Sequence, residues 1–388
     1  MRSLRVLGLF LAAALLFVPA QAGAAKPQAK NVRQTAGPIR AVAMDGSRVA
    51  YMASDRRVAV WNVATGKTTV IKGAYPRKGS GFASGTGEVA IAGKRVALIT
   101  RFVTGNSQQT QEHLYTATLG GRARQLGKLT NHYTNPQDGE PDGGLSDGTW
   151  IAGAVGSGNT LAVSTWSSQN SVTSHERLSL VTPTGLHTIA TGPGAIVATS
   201  ASDGHIAVFR STVAWPAENV SPATALPTVG IYSTSGSLLH EIPLDPSARE
   251  LAVSGNELVV LTETIQQGSL VATLQVYDWT TGALMHVWPV ALGPGGRGLA
   301  VHGRFAALEG PDRLHLVDLT TGKDVSIAPA SLSGPALGPR GLVYASTLLV
   351  RRVPGSSSSC RRRSCPRGSA RARPRPRAWR GRARSPRR

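Results

Sequence analysis

Apolar and polar residues alternate along this chain in short runs, cut at close intervals by glycine-bearing turns. The clearest stretch is 37–72, GPIRAVAMDGSRVAYMASDRRVAVWNVATGKTTVIK. Apolar runs at 39–43, 49–51, 58–61 and 68–71 are separated by Asp45-Gly46, Ser54-Asp55 and Thr65-Gly66. A period of two places successive side chains on opposite faces of a strand, and tight turns between such runs predict antiparallel hairpins. No sustained period of 3.6 occurs beyond the N-terminus, so no helices are expected in the body.

The same layout recurs. A first hairpin turn leading into an apolar strand stands at Gly46, Gly93, Gly158, Asp203-Gly204, Gly255, Gly303 and Pro339-Arg340-Gly341. A second turn follows at Thr65-Gly66, Gly120-Gly121, Thr184-Gly185, Ser235-Gly236, Thr281-Gly282 and Thr321-Gly322. These make six complete units and the start of a seventh, mostly 40–50 residues apart. Four strands at this period predict an all-β protein, a β-propeller of about seven four-stranded blades with the last incomplete. The segment 30–34 could supply a closing outer strand.

Three units end in Asn62-Val63-Ala64-Thr65-Gly66, Asp278-Trp279-Thr280-Thr281-Gly282 and Asp318-Leu319-Thr320-Thr321-Gly322. The Asn or Asp side chain can accept from backbone N–H groups two residues on, and glycine supplies the positive φ of the turn. Over 37–350 this pattern resembles the blades of the quinoprotein-like and WD40-like bacterial propellers. The resemblance implies a fold and no particular function. The Gly-His and Trp-Asp pair of WD40 blades is missing. The tryptophan that follows the Thr-Gly turn in quinoprotein blades is approximated only by Trp288, which argues against quinone-dependent chemistry.

Composition changes this picture at the two ends. The formal charge of +21 suggests a nucleic-acid binder until it is located. Residues 351–388 hold 15 arginines and no acid; removing these with Arg2 and Arg5 leaves 25 basic against 21 acidic residues. The body is thus near neutral, and nucleic acid is not an expected partner. Both cysteines, Cys360 and Cys365, lie in the same Arg-rich stretch, so the body has no disulfide framework. Residues 1–22 combine Arg2 and Arg5, an apolar run over 6–18 and the small-x-small site Ala20-Gln21-Ala22, the layout of a cleaved signal peptide. The expected organisation is a signal peptide over 1–22, a linker with the ring-closing segment over 23–36, a propeller over 37–350, and a disordered tail over 351–388. Two readings of that tail stand. It is a basic disordered segment, or it is a frameshift product, since its residue types are those of GC-rich codons read out of frame.

The chemistry is sparse. Gly66-Lys67-Thr68 lacks the partner glycine and the following helix of a phosphate loop, and 293–298 matches GxGxxG but leads into a strand, where a dinucleotide needs a helix N-terminus. There is no zinc spacing and no GxSxG elbow. His205, His302 and His315 fall at turns or on strands and are expected to be structural. The insertion 130–151 carries Asp138, Glu140, Asp142 and Asp147 among glycines, a candidate calcium-binding loop although its spacing is not that of an EF-hand.

The connections between the second and third strands are longer than the rest, at 101–113, 164–177, 209–228 and 262–270. In an up-and-down blade they emerge on the same face as the inter-blade connections, and loops on one side of a rigid scaffold are where binding groups reside. That face would carry Arg101, Trp150, Trp166, His175, Glu176, Arg210, Trp215, Glu218 and Glu263. Flat aromatics beside carboxylates suit a polysaccharide or peptide. The expected protein is a secreted or periplasmic binding module, monomeric, taking a protein or polysaccharide on that face and meeting a membrane only through its signal peptide. The alternative is a lyase or hydrolase using the loop acids.

Overall fold

The computed structural model describes residues 31–34 and, from 39 to 353, all but 54–56, 74–86, 104–108, 134–145, 170–171, 193–194, 212–226, 267–268, 293–296, 312, 330–333 and 347–348. The signal-peptide reading of 1–22 lies outside them, as does the tail reading of 351–388 from residue 354 onward. Among the described residues every regular element is a strand. After β1 (Asn31–Gln34) come β2 (Ile39–Asp45), β3 (Arg48–Ala53), β4 (Val58–Asn62) and β5 (Thr68–Ile71). The next four are β6 (Gly87–Ala92), β7 (Arg95–Val103), β8 (Gln109–Thr118) and β9 (Arg124–Tyr133). They are followed by β10 (Ser146–Ser157), β11 (Thr160–Gln169), β12 (Val172–Val181) and β13 (Leu186–Gly192). Then run β14 (Ala195–Ser202), β15 (His205–Ser211), β16 (Thr228–Ser233) and β17 (Leu238–Pro243). β18 (Ala248–Ser254), β19 (Glu257–Gln266), β20 (Ser269–Asp278) and β21 (Ala283–Val290) form the next group. The last are β22 (Arg297–His302), β23 (Phe305–Glu309), β24 (Arg313–Asp318), β25 (Lys323–Pro329), β26 (Ala336–Gly338), β27 (Gly341–Ser346) and β28 (Leu349–Val353).

These strands pair as antiparallel meanders of a β-propeller. β2–β5, β14–β17, β18–β21 and β22–β25 are four-stranded sheets in chain order, and β6–β13 form one sheet of eight strands. The final sheet has the order β1-β28-β27-β26. Six hydrogen-bonded sheets therefore stand where the sequence predicted seven. The difference lies in the 130–151 insertion, expected to be a loop. Both its ends are strand, and β9 pairs with β10 through Tyr133–Ser146 and His132–Asp147.

The final sheet is also a correction. Its third strand, expected to be missing, is β28, which pairs with β27 from Leu342–Val353 to Ser346–Leu349. The outer position is taken by β1, in register from Asn31–Arg352 to Gln34–Leu349. The leading strands β2, β6, β10, β14, β18, β22 and β26 each pack on the next, and β26 packs back on β2.

Burial follows from this stacking. The second and third strands of a meander are covered on both faces by neighbouring sheets, so they read as near-continuous apolar runs rather than alternating ones. Val96–Ile99 and Leu258–Leu261 are each fully enclosed. One hydrophobic cluster joins Ala50, Met52 and Val60 to Ile91, Val96 and Leu98 across β2–β5 and β6–β9. Another joins Tyr51 and Trp61 to Val343 and Ala345, which ties the first sheet to the last. Outer strands are half wet, as in β21, where Leu284, Met285 and Val287 are exposed.

The Asn/Asp-x-x-Thr-Gly turns form as their chemistry dictates. Asp318 Oδ1 accepts the Thr320 N–H at 3.0 Å, and the Gly322 N–H donates to the Asp318 carbonyl at 2.7 Å. Gly322 has φ 69°, and a Cβ there would lie 2.3 Å from the Trp288 ring of the preceding sheet. Glycine at this position thus serves both the turn and the packing of one sheet on the next. Trp288 also donates from Nε1 to the Leu319 carbonyl at 2.7 Å.

Candidate functional site

The hairpins β7–β8, β11–β12, β15–β16 and β19–β20 all emerge at one end of their sheets, together with the inter-sheet connections. Of the long connections predicted there, 101–113, 164–177 and 262–270 are strand over their described residues, and 212–226 of the fourth lie outside the described residues. Arg101 pairs with Glu112 in the β7–β8 ladder, and Trp166 and Ser167 pair with Glu176 and His175 in β11–β12. Arg101, Trp166, His175 and Glu176 consequently stand on paired strands, with defined neighbours across them.

At the junction of β6–β9 with β10, Arg101 is held on three sides. Its Nη1 contacts Glu88 at 2.5 Å, its Nε contacts Glu112 at 2.6 Å, and its Nη2 donates to the Ile151 carbonyl at 2.7 Å. Glu112 Oε2 accepts the Ile151 N–H at 2.6 Å. Burial pushes the Glu112 carboxyl up, against the opposing pull of Arg101 and of the Ile151 N–H. Burial likewise opposes charge on Arg101, but Glu88 and Glu112 outweigh it and hold the guanidinium above its ordinary value. With its donors so engaged, this cluster fastens one meander to the next.

A second cluster spans β10–β13 and β14–β17. Arg210 Nε donates to Glu176 Oε1 and Nη2 donates to the Tyr232 hydroxyl, with the guanidinium carbon 5.2 Å from the Tyr232 ring centre. Glu241 lies further off, 3.9 Å from Nη1. The space for the guanidinium comes from Gly230, where a Cβ would stand 2.7 Å from Nη1. The Glu176 side chain is 2% exposed, and its Oε2 is buried with no hydrogen-bond partner. Desolvation raises its pKa, opposed by Arg210 and reinforced by Glu241.

Beside this pair stands an aromatic stack. Trp150 pairs with Trp166, Trp166 with Glu176, and Glu176 with Gly192, a single row across β10 to β13. Directly paired residues share a sheet face, so the two indoles and the carboxylate line up on one side. The rings are stacked, with centroids 4.5 Å apart and planes at 18°, and both are partly exposed.

The remaining candidates divide. Glu263, on β19, has Oε1 buried without a partner and Oε2 3.9 Å from Arg249. His175 lies on β12 opposite Ser167. Trp215 and Glu218 lie outside the described residues, as do Asp138, Glu140 and Asp142. Asp147 is on β10 opposite His132. Among the described residues no group of three or more His, Cys, Asp or Glu could hold a metal ion.

Sequence reasoning missed the carboxylates that clasp one meander to the next. Besides Glu112, Glu250 on β18 accepts the N–H groups of Gly298 and Leu299 on β22, at 3.1 and 2.7 Å. Glu309 on β23 accepts the Gly334 N–H at 2.9 Å, leading into β26. Burial, with Glu250 nearby, raises the Glu309 pKa to about 7. The available signal was a lone acid on an apolar strand, as in Phe305-Ala306-Ala307-Leu308-Glu309. His315, expected to be structural, is buried, with Nδ1 2.9 Å from Asp324 Oδ2.

No known protein family matches this sequence. No curated protein matches it either. Among solved structures, the computationally designed Ika8 protein is similar at 12% identity and a TM-score of 0.46, over 85% of this chain and 99% of that one. Sqt1 of Saccharomyces cerevisiae is similar at 10% identity and a TM-score of 0.43, over 85% and 100%. The propeller assignment rests on the strand pairing described above.

Proposed function

We propose that this chain is an exported, seven-bladed propeller that acts as a binding module, recognising a protein or polysaccharide on the face of the inter-blade connections. Counting β6–β9 and β10–β13 as two blades gives seven units of four strands, the last completed by β1. Export follows from the charged, apolar and small-residue succession of 1–22.

The observation that carries the binding reading is the row Trp150, Trp166 and Glu176, partly exposed aromatics in register with a buried, ion-paired carboxylate. Partly exposed stacked indoles leave apolar surface unsatisfied, and aromatic residues held rigidly on a scaffold are what binding sites use as anchors. The full chain, purified from the compartment to which it is exported, is to be screened against immobilised peptides and polysaccharides. Two face-blocking variants accompany it, Trp166→Arg on the proposed face and Asn256→Arg on the short-turn face. Binding lost with Trp166→Arg and kept with Asn256→Arg is expected; the reverse pattern overturns the reading.

A further inference from the structure

We propose that the junction of β10–β13 with β14–β17 seats one neutral pyranose unit of a polysaccharide, its C–H face on the Trp150–Trp166 stack and a hydroxyl donating to Glu176. This rests on the binding-module reading and narrows its ligand to a chemical class.

Four observations converge on that chemistry. The indoles are near parallel and fix one another's planes, while part of the pair stays exposed. A pyranose presents an apolar C–H face to such a plate and hydroxyls at its rim. Glu176 is one ladder step from Trp166 on the same face, so a ring lying on the indole has the carboxylate at its rim. Its Oε2 has no donor, and a buried acceptor left unsatisfied is a cost that a bound hydroxyl relieves. Finally, Arg210 is already faced by Glu176 and, at 3.9 Å, by Glu241, so its guanidinium does not select an anionic ligand. What remains is one acceptor beside apolar surface, the complement of a neutral hydroxyl compound. Gly192 ends the row, and a side chain there would press on Glu176 Oε1, 3.0 Å from the position of its Cβ. Because Oε2 is covered in the free chain, the hydroxyl reaches it only when the Trp166 ring or the Glu176 carboxylate turns. Binding therefore changes the tryptophan fluorescence.

The full chain is to be tested by pull-down on cellulose, chitin and starch, and by calorimetry with cellohexaose, chitohexaose and maltohexaose. Alginate serves as the anionic control and an immobilised peptide library as the protein-type control. At least one neutral glycan is expected to bind with a fluorescence change. Trp166→Ala and Glu176→Gln should each weaken it at least about fivefold, the effect of losing one anchoring contact. Val287→Lys, on the exposed outer strand, should leave it unchanged. Thermal melts confirm folding, and Trp150→Phe replaces Trp166→Ala if the latter does not fold. Glycan binding that survives both site variants, or binding to alginate alone, overturns the proposal. Peptide binding abolished by Trp166→Arg, without glycan binding, overturns it while leaving the binding-module reading intact. No ligand of either type overturns both.

Discussion

Two junctions of this propeller use the same parts to different ends. Where β6–β9 meets β10, Arg101 joins Glu88, Glu112 and the Ile151 carbonyl, and both oxygens of Glu112 are engaged. Where β10–β13 meets β14–β17, Arg210 joins Glu176 and Tyr232, and one oxygen of Glu176 is left without a partner next to two stacked tryptophans. An arginine and a buried glutamate are common to both, on paired strands of one sheet at the first junction and on strands of two sheets at the second. The difference lies in the neighbouring backbone. At the first junction Ile151 offers its N–H and its carbonyl and closes the network. At the second no backbone donor reaches Glu176 Oε2. Satisfied buried charge locks a scaffold, whereas incompletely satisfied charge is where a further group can be accepted.

The largest expected effect breaks the closed junction. Arg101→Met leaves Glu112 buried with its principal charge partner gone, and should cost about 3–5 kcal/mol of unfolding free energy. Urea unfolding of wild type and variant measures it. A loss within error of zero would show that the cluster is solvated and that the two junctions do not differ in this way.

A smaller effect sharpens the comparison. Glu112→Gln replaces an acceptor used on both oxygens with an amide that opposes one donor, losing about 1.5–3 kcal/mol as one charge-assisted hydrogen bond goes. Glu176→Gln can keep its oxygen toward Arg210 and turn its amide to the side that has no donor. It should cost under about 1 kcal/mol, within the range of one neutral hydrogen bond. Equal losses, measured side by side, would mean that Glu176 Oε2 is as firmly held as Glu112.

A further prediction concerns pH and a third clasp. Glu309 has a pKa raised from 4.5 to about 7, chiefly by burial. A carboxyl whose folded pKa is raised binds its proton more tightly in the folded state. Its contribution to stability is therefore complete below the ordinary Glu pKa of about 4.3 and is lost as pH rises through about 7. The urea midpoint of wild type should fall from pH 5 to pH 8 by more than that of Glu309→Gln, in which this dependence is absent. Parallel curves would show that Glu309 ionises normally beside Gly334.

Much of the architecture was legible in the chain, because strand and turn are local properties. The short apolar runs, the first-turn glycines such as Gly46 and Gly93, and the Asp318-x-x-Thr-Gly motif each depend on φ, ψ and bonds within a few residues, which sequence neighbours settle. The face bearing Trp150, Trp166, Glu176 and Arg210 was legible for the same reason, since an up-and-down meander fixes which end each connection occupies. The partners were not. Trp150 and Trp166 are neighbours only through the β10–β11 register, Arg101 and Ile151 are 50 residues apart, and Glu176 and Arg210 are 34 apart. β1 and β28 stand at opposite ends of the described chain, and they meet because the last sheet needs an outer strand. The turn at Gly322 shows both levels in one residue. Its left-handed φ follows from the local motif, but its contact with Trp288 arises only when one sheet stacks on the next. Local backbone geometry is written in consecutive residues, whereas side-chain partnership depends on how whole sheets pack, and that is decided only once the ring is assembled.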